Sequence, residues 1–598
     1  MNEAAPTAAA PLPTRDVGLR VRGVGLRVRG VGLRLGGVGL RGGGVGLRVR
    51  GAGLRVRGRV ARVRESGPVP SAGDSNGPVD EPAQPGPDRI ERLGRVGVAA
   101  ITGIVALTWF PLLSMPFGDN HLGRIIGRYA LHLRNLQEQG ILGSHFGADW
   151  LPYASTPYAH HPPLLNLLTA LTGLLPGDGE YQVWLPAYLL ALLIVPAGTA
   201  LLRGLGLRWS ATLLALGLTV ATPFYWIYSP LMFDLGPILA LSALVVRLRA
   251  RPDPSRRLVA GACVAALLTT LVSWPGVGFA AVLGLWLLAA RRVDRVTVLV
   301  GASMLTGVAI SLGYVVGVTG MAMLGGQAEL RSTGGGFTVR QFLRQQWRYA
   351  YDLLPLWYIG ALPVGAVVGL LDRRTRVYLA MAVAFTAVWI LGLRNGAYVH
   401  SYWSYPMLVV GLVGTGVLLD RLVDGLTRRV PENGLDAPAR KGDGTGTSAV
   451  SRRFIRTGRR LACRPVRVTA ATLVGAALGA YLGMLVVGPD RHRLLDEPAA
   501  AGRLVSEHPP PAGQRYAWTV GSGAASPRWL AYYWRLKPRP LTPATLHTEP
   551  TRPEDLVLID LTRRPEWLPG SVETGIVARD GRYALLRVAT LHSTADAP

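Results

Sequence analysis

Between Gly118 and Pro163 the chain reads GDNHLGRIIGRYALHLRNLQEQGILGSHFGADWLPYASTPYAHHPP, which gathers an acid, a row of cations and paired imidazoles. Asp119 opens the stretch just past an apolar run. Arg124, Arg128 and His132 follow four apart, so a helix puts them on one face. Leu122, Ile125, Ile126, Tyr129, Leu133 and Leu136 recur at helical spacing beside them, the pattern of an amphipathic helix lying on a membrane surface. His160, His161, Pro162 and Pro163 close the stretch as a rigid corner, because proline fixes φ. A carboxylate takes or orients a proton, and a cationic or hydrogen-bonding corner at the bilayer edge meets a lipid phosphate. Asp119 equally suits a helix cap, and Pro162 and Pro163 equally suit a plain helix start.

Three further segments carry polar residues of the same kind. Asp234 ends Tyr228-Ser-Pro-Leu-Met-Phe-Asp and begins an apolar run, where an acid is costly and often functional. With Asp119 on the same side of the membrane it makes an acid/base or cation-holding pair. In the segment 320–352, Thr338 is set to cap a second amphipathic helix bearing Arg340, Arg344 and Arg348 four apart. Their forked donors suit phosphate or lipid headgroups. The preceding Gly334-Gly-Gly lacks the Lys-Ser or Lys-Thr ending of a nucleotide loop. Tyr398, His400, Tyr402 and Trp403 cluster at the entrance of another apolar run; an interfacial belt explains the aromatics better than His400.

The elements that must position these groups are membrane spans. The chain has 598 residues, 49% of them hydrophobic, with charge concentrated outside long apolar runs. Runs fall near 96–115, 182–203, 209–227, 235–250, 258–273, 276–290, 297–319, 353–371, 377–393, 403–420 and 467–488, and about twenty apolar residues cross a bilayer. The run 164–177 is too short and reads as a surface or re-entrant helix, leaving about eleven spans. On that reading every short Arg-rich turn, and the basic loop 421–466, faces the cytoplasm. The first loop 116–181, Asp234, Ser273 to Gly276, the loop 320–352, Arg394 to Trp403 and everything after 489 then face outside. The net charge of +28 is explained by these anchors rather than by nucleic acid. Cys263 and Cys463 make neither a disulfide framework nor a metal site. The expected localisation is the plasma membrane, with the N-terminus cytoplasmic.

Residues 1–94 read as a disordered basic arm, since 17–58 repeat the unit VGLRVRG and glycine in each repeat disfavours a helix. The core membrane domain is expected over 95–488. Residues 489–598 read as a small outer α/β domain, with strands at 515–520 and 555–561, a helix at 527–534 and a hairpin turning at Asp580-Gly581.

Taken together, the early acid, the amphipathic loop helix and HHPPLLNLLTALTGLLPG resemble the GT-C membrane glycosyltransferases. The nearest branch is the protein O-mannosyltransferase and aminoarabinose-transferase group, glycosyltransferase family 39 in the broad sense. SPLMFD (229–234) and HSYW (400–403) resemble that family's second-acid and late His-x-Tyr segments. Asn120 stands where the family often has a second acid, and His161 where the aminoarabinose branch tends to have lysine, which argues against that donor. The resemblance implies transfer of a mannose-like hexose or a pentose from a polyprenyl-phosphate donor to a protein, lipid or cell-wall glycan outside, with inversion. It implies Asp119 as base, Asp234 as acceptor-positioning or charge-stabilising acid, and His161 with Arg124, Arg128, Arg344 and Arg348 at the donor phosphate. His160, Tyr398, His400 and Tyr402 are the expected substrate contacts. No cofactor is called for with certainty, and a divalent cation is left open. The alternatives are a lipid-linked polysaccharide polymerase or ligase and a secondary transporter, the latter disfavoured by polar residues at the membrane edge rather than mid-membrane.

Overall fold

The computed structural model describes residues 87–177, 179–291, 293–333, 335–428, 492–521, 527–568 and 570–595. The repeat arm therefore lies outside the described residues, as do most of the loop 421–466 and the last apolar run. Residues 87–94, expected in the arm, instead form the first turns of helix α1 (Pro87–Trp109). There the Trp209 indole donates to Glu91 at 2.8 Å.

Each apolar run up to residue 420 is helical. The run 182–203 is a pair, α4 (Tyr181–Leu192) and α5 (Ile194–Gly204). The next is α6 (Trp209–Val220), continued by α7 (Pro223–Tyr228) after a 63° bend. Then come α8 (Leu235–Ala250), α9 (Arg256–Val272), α10 (Trp274–Arg291) and α11 (Arg295–Thr319). After α12 (Met321–Ser332) and α13 (Val339–Leu353), the chain turns by 114° into α14 (Leu356–Leu371), and α15 (Arg376–Gly392), α16 (Arg394–Val399) and α17 (Met407–Arg428) follow. Among the described residues five segments are long and apolar enough to cross a membrane, or seven if each bent pair is one span. The chain is a multi-pass membrane protein. Helix α3 (Leu164–Thr172) has nine residues; at 1.5 Å per residue it covers less than half of a hydrocarbon core.

The helices alternate so that their arginine-rich turns meet at one end. Arg208 donates its backbone N–H to Asp420, Arg374 bridges Asp372, Asp420 and the Gly206 carbonyl, and Arg421 also reaches Asp372. Arg374 beside Asp372 holds that carboxyl well below the usual range. About fifteen residues, most of them in α17, separate this network from the Ser401–Tyr405 turn, roughly 22 Å along a helix.

The opposite end is capped by α2 (His121–Gly143), α3, α12, α13 and the C-terminal sheet. That sheet has the order β2 (Lys537–Pro540), β1 (Tyr516–Val520), β3 (Leu556–Asp560), β5 (Tyr583–Arg587), β4 (Ile576–Asp580). β1 runs parallel to β2 and β3, while β5 is antiparallel to both β3 and β4. The β4–β5 hairpin turns at Gly581, whose φ of +58° suits glycine. Strand β2, which carries Pro538 and Pro540, was not anticipated; prolines are tolerated on a sheet edge, and β2 is an edge.

The alternation of side chains along a strand decides what this sheet does. Ala517, Leu556, Leu558, Tyr583 and Leu585 belong to the same buried cluster as the membrane helices, whereas Trp518, Val520, Val557, Ile559, Ala584 and Leu586 form a second core. The sheet is thus fused to the bundle by one continuous apolar core. The contact is close: a Cβ on Gly127 of α2 would lie 2.9 Å from the Trp529 Cα, and one on Gly118 would lie 2.1 Å from the Pro498 carbonyl oxygen. This corrects the surface-helix expectation for α2. Arg128, His132 and Asn135 are buried along with Ile126 and Leu133, because Tyr158, Trp150, Asn166 and the Asp149 carbonyl cover the polar flank while the helix Arg528–Trp534 packs on Gly127.

Candidate functional site

Asp119 sits at the capped end with its side chain buried, and Asn120, not Asp119, caps α2 by accepting from the Gly123 N–H. Its Oδ1 pairs with Arg124 at 2.7 Å, its backbone N–H donates to the Pro498 carbonyl at 3.1 Å, and Oδ2 is buried without a partner. Asp234 is held similarly from the other side. The Ser273 hydroxyl, at the start of the Ser-Trp-Pro-Gly turn, and the Tyr405 hydroxyl both donate to Oδ2, and Oδ1 is buried without a partner. Burial raises its pKa to about 6, with those two hydroxyl donors pulling the other way. Buried native carboxylate oxygens are nearly always paired. Two such oxygens at one end of the bundle mark places where a substrate hydroxyl or a cation fits.

The same end of the bundle carries a group of cations and imidazoles. Arg128 is buried, donates to the Tyr129 hydroxyl at 2.8 Å and the Tyr158 hydroxyl at 3.0 Å, and leaves Nε unpartnered. Arg331 on α12 donates to His400 Nε2 at 2.7 Å and lies over the Trp403 ring. His400 packs against His121 (5.1 Å between ring centroids) and Tyr402 (5.4 Å). Tyr158 faces His160 at 4.1 Å and reaches toward His161 Nε2 at 3.5 Å. The Trp274 indole fixes the corner by donating to the His160 carbonyl at 2.7 Å. Among the described residues, no carboxylate pairs with Arg128, Arg331 or Arg528, and no cluster of three or more His, Cys, Asp or Glu side chains suits a metal ion.

The structure brings together most but not all of the expected residues. Asp119, Asp234, Arg124, Arg128, His160, His161, His400 and Tyr402 share this end. Arg344 and Arg348 stand apart: both are exposed on α13, and Arg348 pairs with Asp352 at 3.7 Å. Tyr398 stacks on Phe337 at 4.1 Å and its carbonyl accepts from Tyr349, a packing role. Arg331 and Arg528 were missed. Arg331 ends a helix with no strong sequence signal, and Arg528 belongs to a domain that carries no interpretable motif.

The imidazoles are neutral. Burial, with Arg124 and Arg528 nearby, lowers His121 to about 4; burial and Arg128 lower His160 to about 4 and His132 to about 3. His132 instead bridges the Trp150 indole, 2.8 Å from Nε2, and Asn166. Histidines of the unfolded chain take up protons near pH 6.5. Stability from these rings is therefore fully present above pH 6.5 and is lost as the pH falls toward 4. Asp234 opposes this between about 6 and 4, but as one group against three. The thermal midpoint of the purified protein is expected to fall between pH 6.5 and about 4. A flat or rising midpoint would mean that the rings are protonated in the fold.

No family model and no curated protein matches the chain. Among the solved structures similar to it are two of ArnT from Cupriavidus metallidurans. One, in the apo state, has 17% identity over 83% of this chain and 99% of that one, with a TM-score of 0.48. The other, bound to undecaprenyl phosphate, has 16% identity over 83% and 98%, with a TM-score of 0.49. At these values neither likeness assigns this chain a family or a role.

Proposed function

We propose that the protein is a GT-C-like membrane glycosyltransferase that moves a sugar from a polyprenyl-phosphate donor to an acceptor on the outer face. The observation that carries this reading is the buried Arg128 and half-buried Arg331, without a countercharge among the described residues, set among neutral imidazoles and two half-free carboxylates. Guanidiniums out of water call for an anion, and a phosphate whose lipid stays in the bilayer reaches this end of the bundle without crossing water. On this reading the arginine-rich turns and the N-terminus face the cytoplasm and the sheet lies outside.

In the reaction the acceptor hydroxyl attacks the anomeric carbon, the bond from that carbon to the phosphate oxygen breaks, and the configuration inverts. The hydroxyl proton passes to Asp119 Oδ2. The charge that builds on the departing phosphate is met by Arg128, Arg331 and the N–H groups of the neutral imidazoles, His161 among them. Asp234 orients the acceptor or faces the positive charge developing on the sugar ring. Arg344 and Arg348, exposed beside Val339, Leu343 and Trp347, suit lipid headgroups instead of the donor.

The test is transfer of radiolabelled sugar in membranes carrying the protein, with polyprenyl-phosphate mannose, glucose and arabinose offered in turn. Label reaching an acceptor from one of them supports the reading. Silence with all three, and turnover of a diphosphate-linked glycan, would move the assignment to a polymerase or ligase.

A further inference from the structure

We propose that Arg528, carried by the C-terminal domain, is the third guanidinium of the phosphate pocket, so the site is complete only with that domain seated on the bundle. The proposal rests on the donor reading above. Arg528 opens the helix that covers α2, some four hundred residues away in sequence. Its guanidinium lies 4.7 Å from the Trp150 ring centroid and 5.5 Å from that of Tyr153, and its Nε is buried without a partner. Trp150 stacks on Tyr158 at 4.1 Å with an interplanar angle of 10°, and Arg128 lies 4.9 Å over the Tyr158 ring. One aromatic stack therefore carries both guanidiniums. The Trp150 indole also donates to His132 on α2, which locks the stack to the bundle.

Electrostatics agree with this placement. Arg528 acts on His121 and His400 together with Arg331, and on His132 together with Arg128. Three like charges bearing on one set of neutral rings repel each other and are stabilised by an anion among them. The need is greatest when the bond to the sugar breaks, because the leaving lipid phosphate then gains a negative charge. The domain is held in register by bonds that do not involve Arg528. The Tyr533 hydroxyl donates to Glu180 at 2.6 Å and accepts from the Phe117 N–H at 2.9 Å, and Pro498 accepts from Asp119.

A purely structural Arg528 would clamp the 150–153 loop and nothing more. The two roles separate when full-length protein in lipid nanodiscs is titrated with undecaprenyl phosphate and, as a neutral control, undecaprenol. Arg528→Ala is expected to weaken binding of the phosphate by about 10- to 100-fold, the loss of one charge-assisted hydrogen bond, and to leave the alcohol unaffected. Arg528→Lys, which keeps the charge without the fork, should recover part of the loss and serves if the alanine variant does not fold. Unchanged phosphate binding, or an equal loss for phosphate and alcohol, would overturn the proposal and leave the donor reading standing. A wild type that binds the phosphate no better than the alcohol rejects the donor reading, and this proposal with it.

Discussion

Asp119→Asn is expected to lower sugar transfer by about 10²- to 10⁴-fold, the usual contribution of a positioned general base. The substitution preserves shape, and its carbonyl oxygen can still accept from Arg124 as Oδ1 does now. What it removes is the proton-accepting capacity of the buried, unpartnered Oδ2. Donor affinity should stay at the wild-type level, because the phosphate contacts lie on other residues, so the loss belongs in the rate of the chemical step. Single-turnover transfer at saturating donor reads that rate directly. Full activity in this variant would remove Asp119 from the mechanism and leave Asp234, raised to about 6 by burial, as the carboxylate suited to the task.

The second large effect is expected at Arg128. Its guanidinium is buried, bound among the described residues to two tyrosine hydroxyls, and adjoins the Tyr158–His160–His161 corner. Arg128→Ala removes one fixed donor from the charge developing on the leaving phosphate, a loss of about 10²- to 10³-fold in rate. It also strands the Tyr129 and Tyr158 hydroxyls, at a stability cost of roughly 1–3 kcal/mol. Arg128→Lys separates the two effects, because lysine keeps the charge but not the fork. Transfer rates and melting curves of both variants decide the matter. A destabilised Arg128→Ala protein that still transfers at the wild-type rate would make Arg128 a packing residue.

Arg124 shows how far spacing carries an argument. Three cations four apart were read as one surface face, yet each has its own surroundings. Arg124 turns to Asp119, Arg128 sits among tyrosines, and His132 bridges Trp150 and Asn166. Helical periodicity gives the angle of a side chain about the axis but not the partner that waits there. The arginines on α13 show the converse, since the same spacing there leaves Arg344 and Arg348 exposed.

The sequence by itself determined the membrane helices, because an apolar run long enough to cross a bilayer has few other fates. It also determined the short α3 and most of the C-terminal strands, through local periodicity and the Asp580-Gly581 turn. It named both carboxylates, because an acid at the edge of an apolar run is conspicuous. Only the tertiary structure decided that α2 is buried on both flanks, that the sheet shares the core of the bundle, and that Arg331 reaches His400 and Arg528 lies over Trp150. Those contacts link residues up to four hundred positions apart. Their strength comes from shape and charge matched across a distance, which no local pattern records.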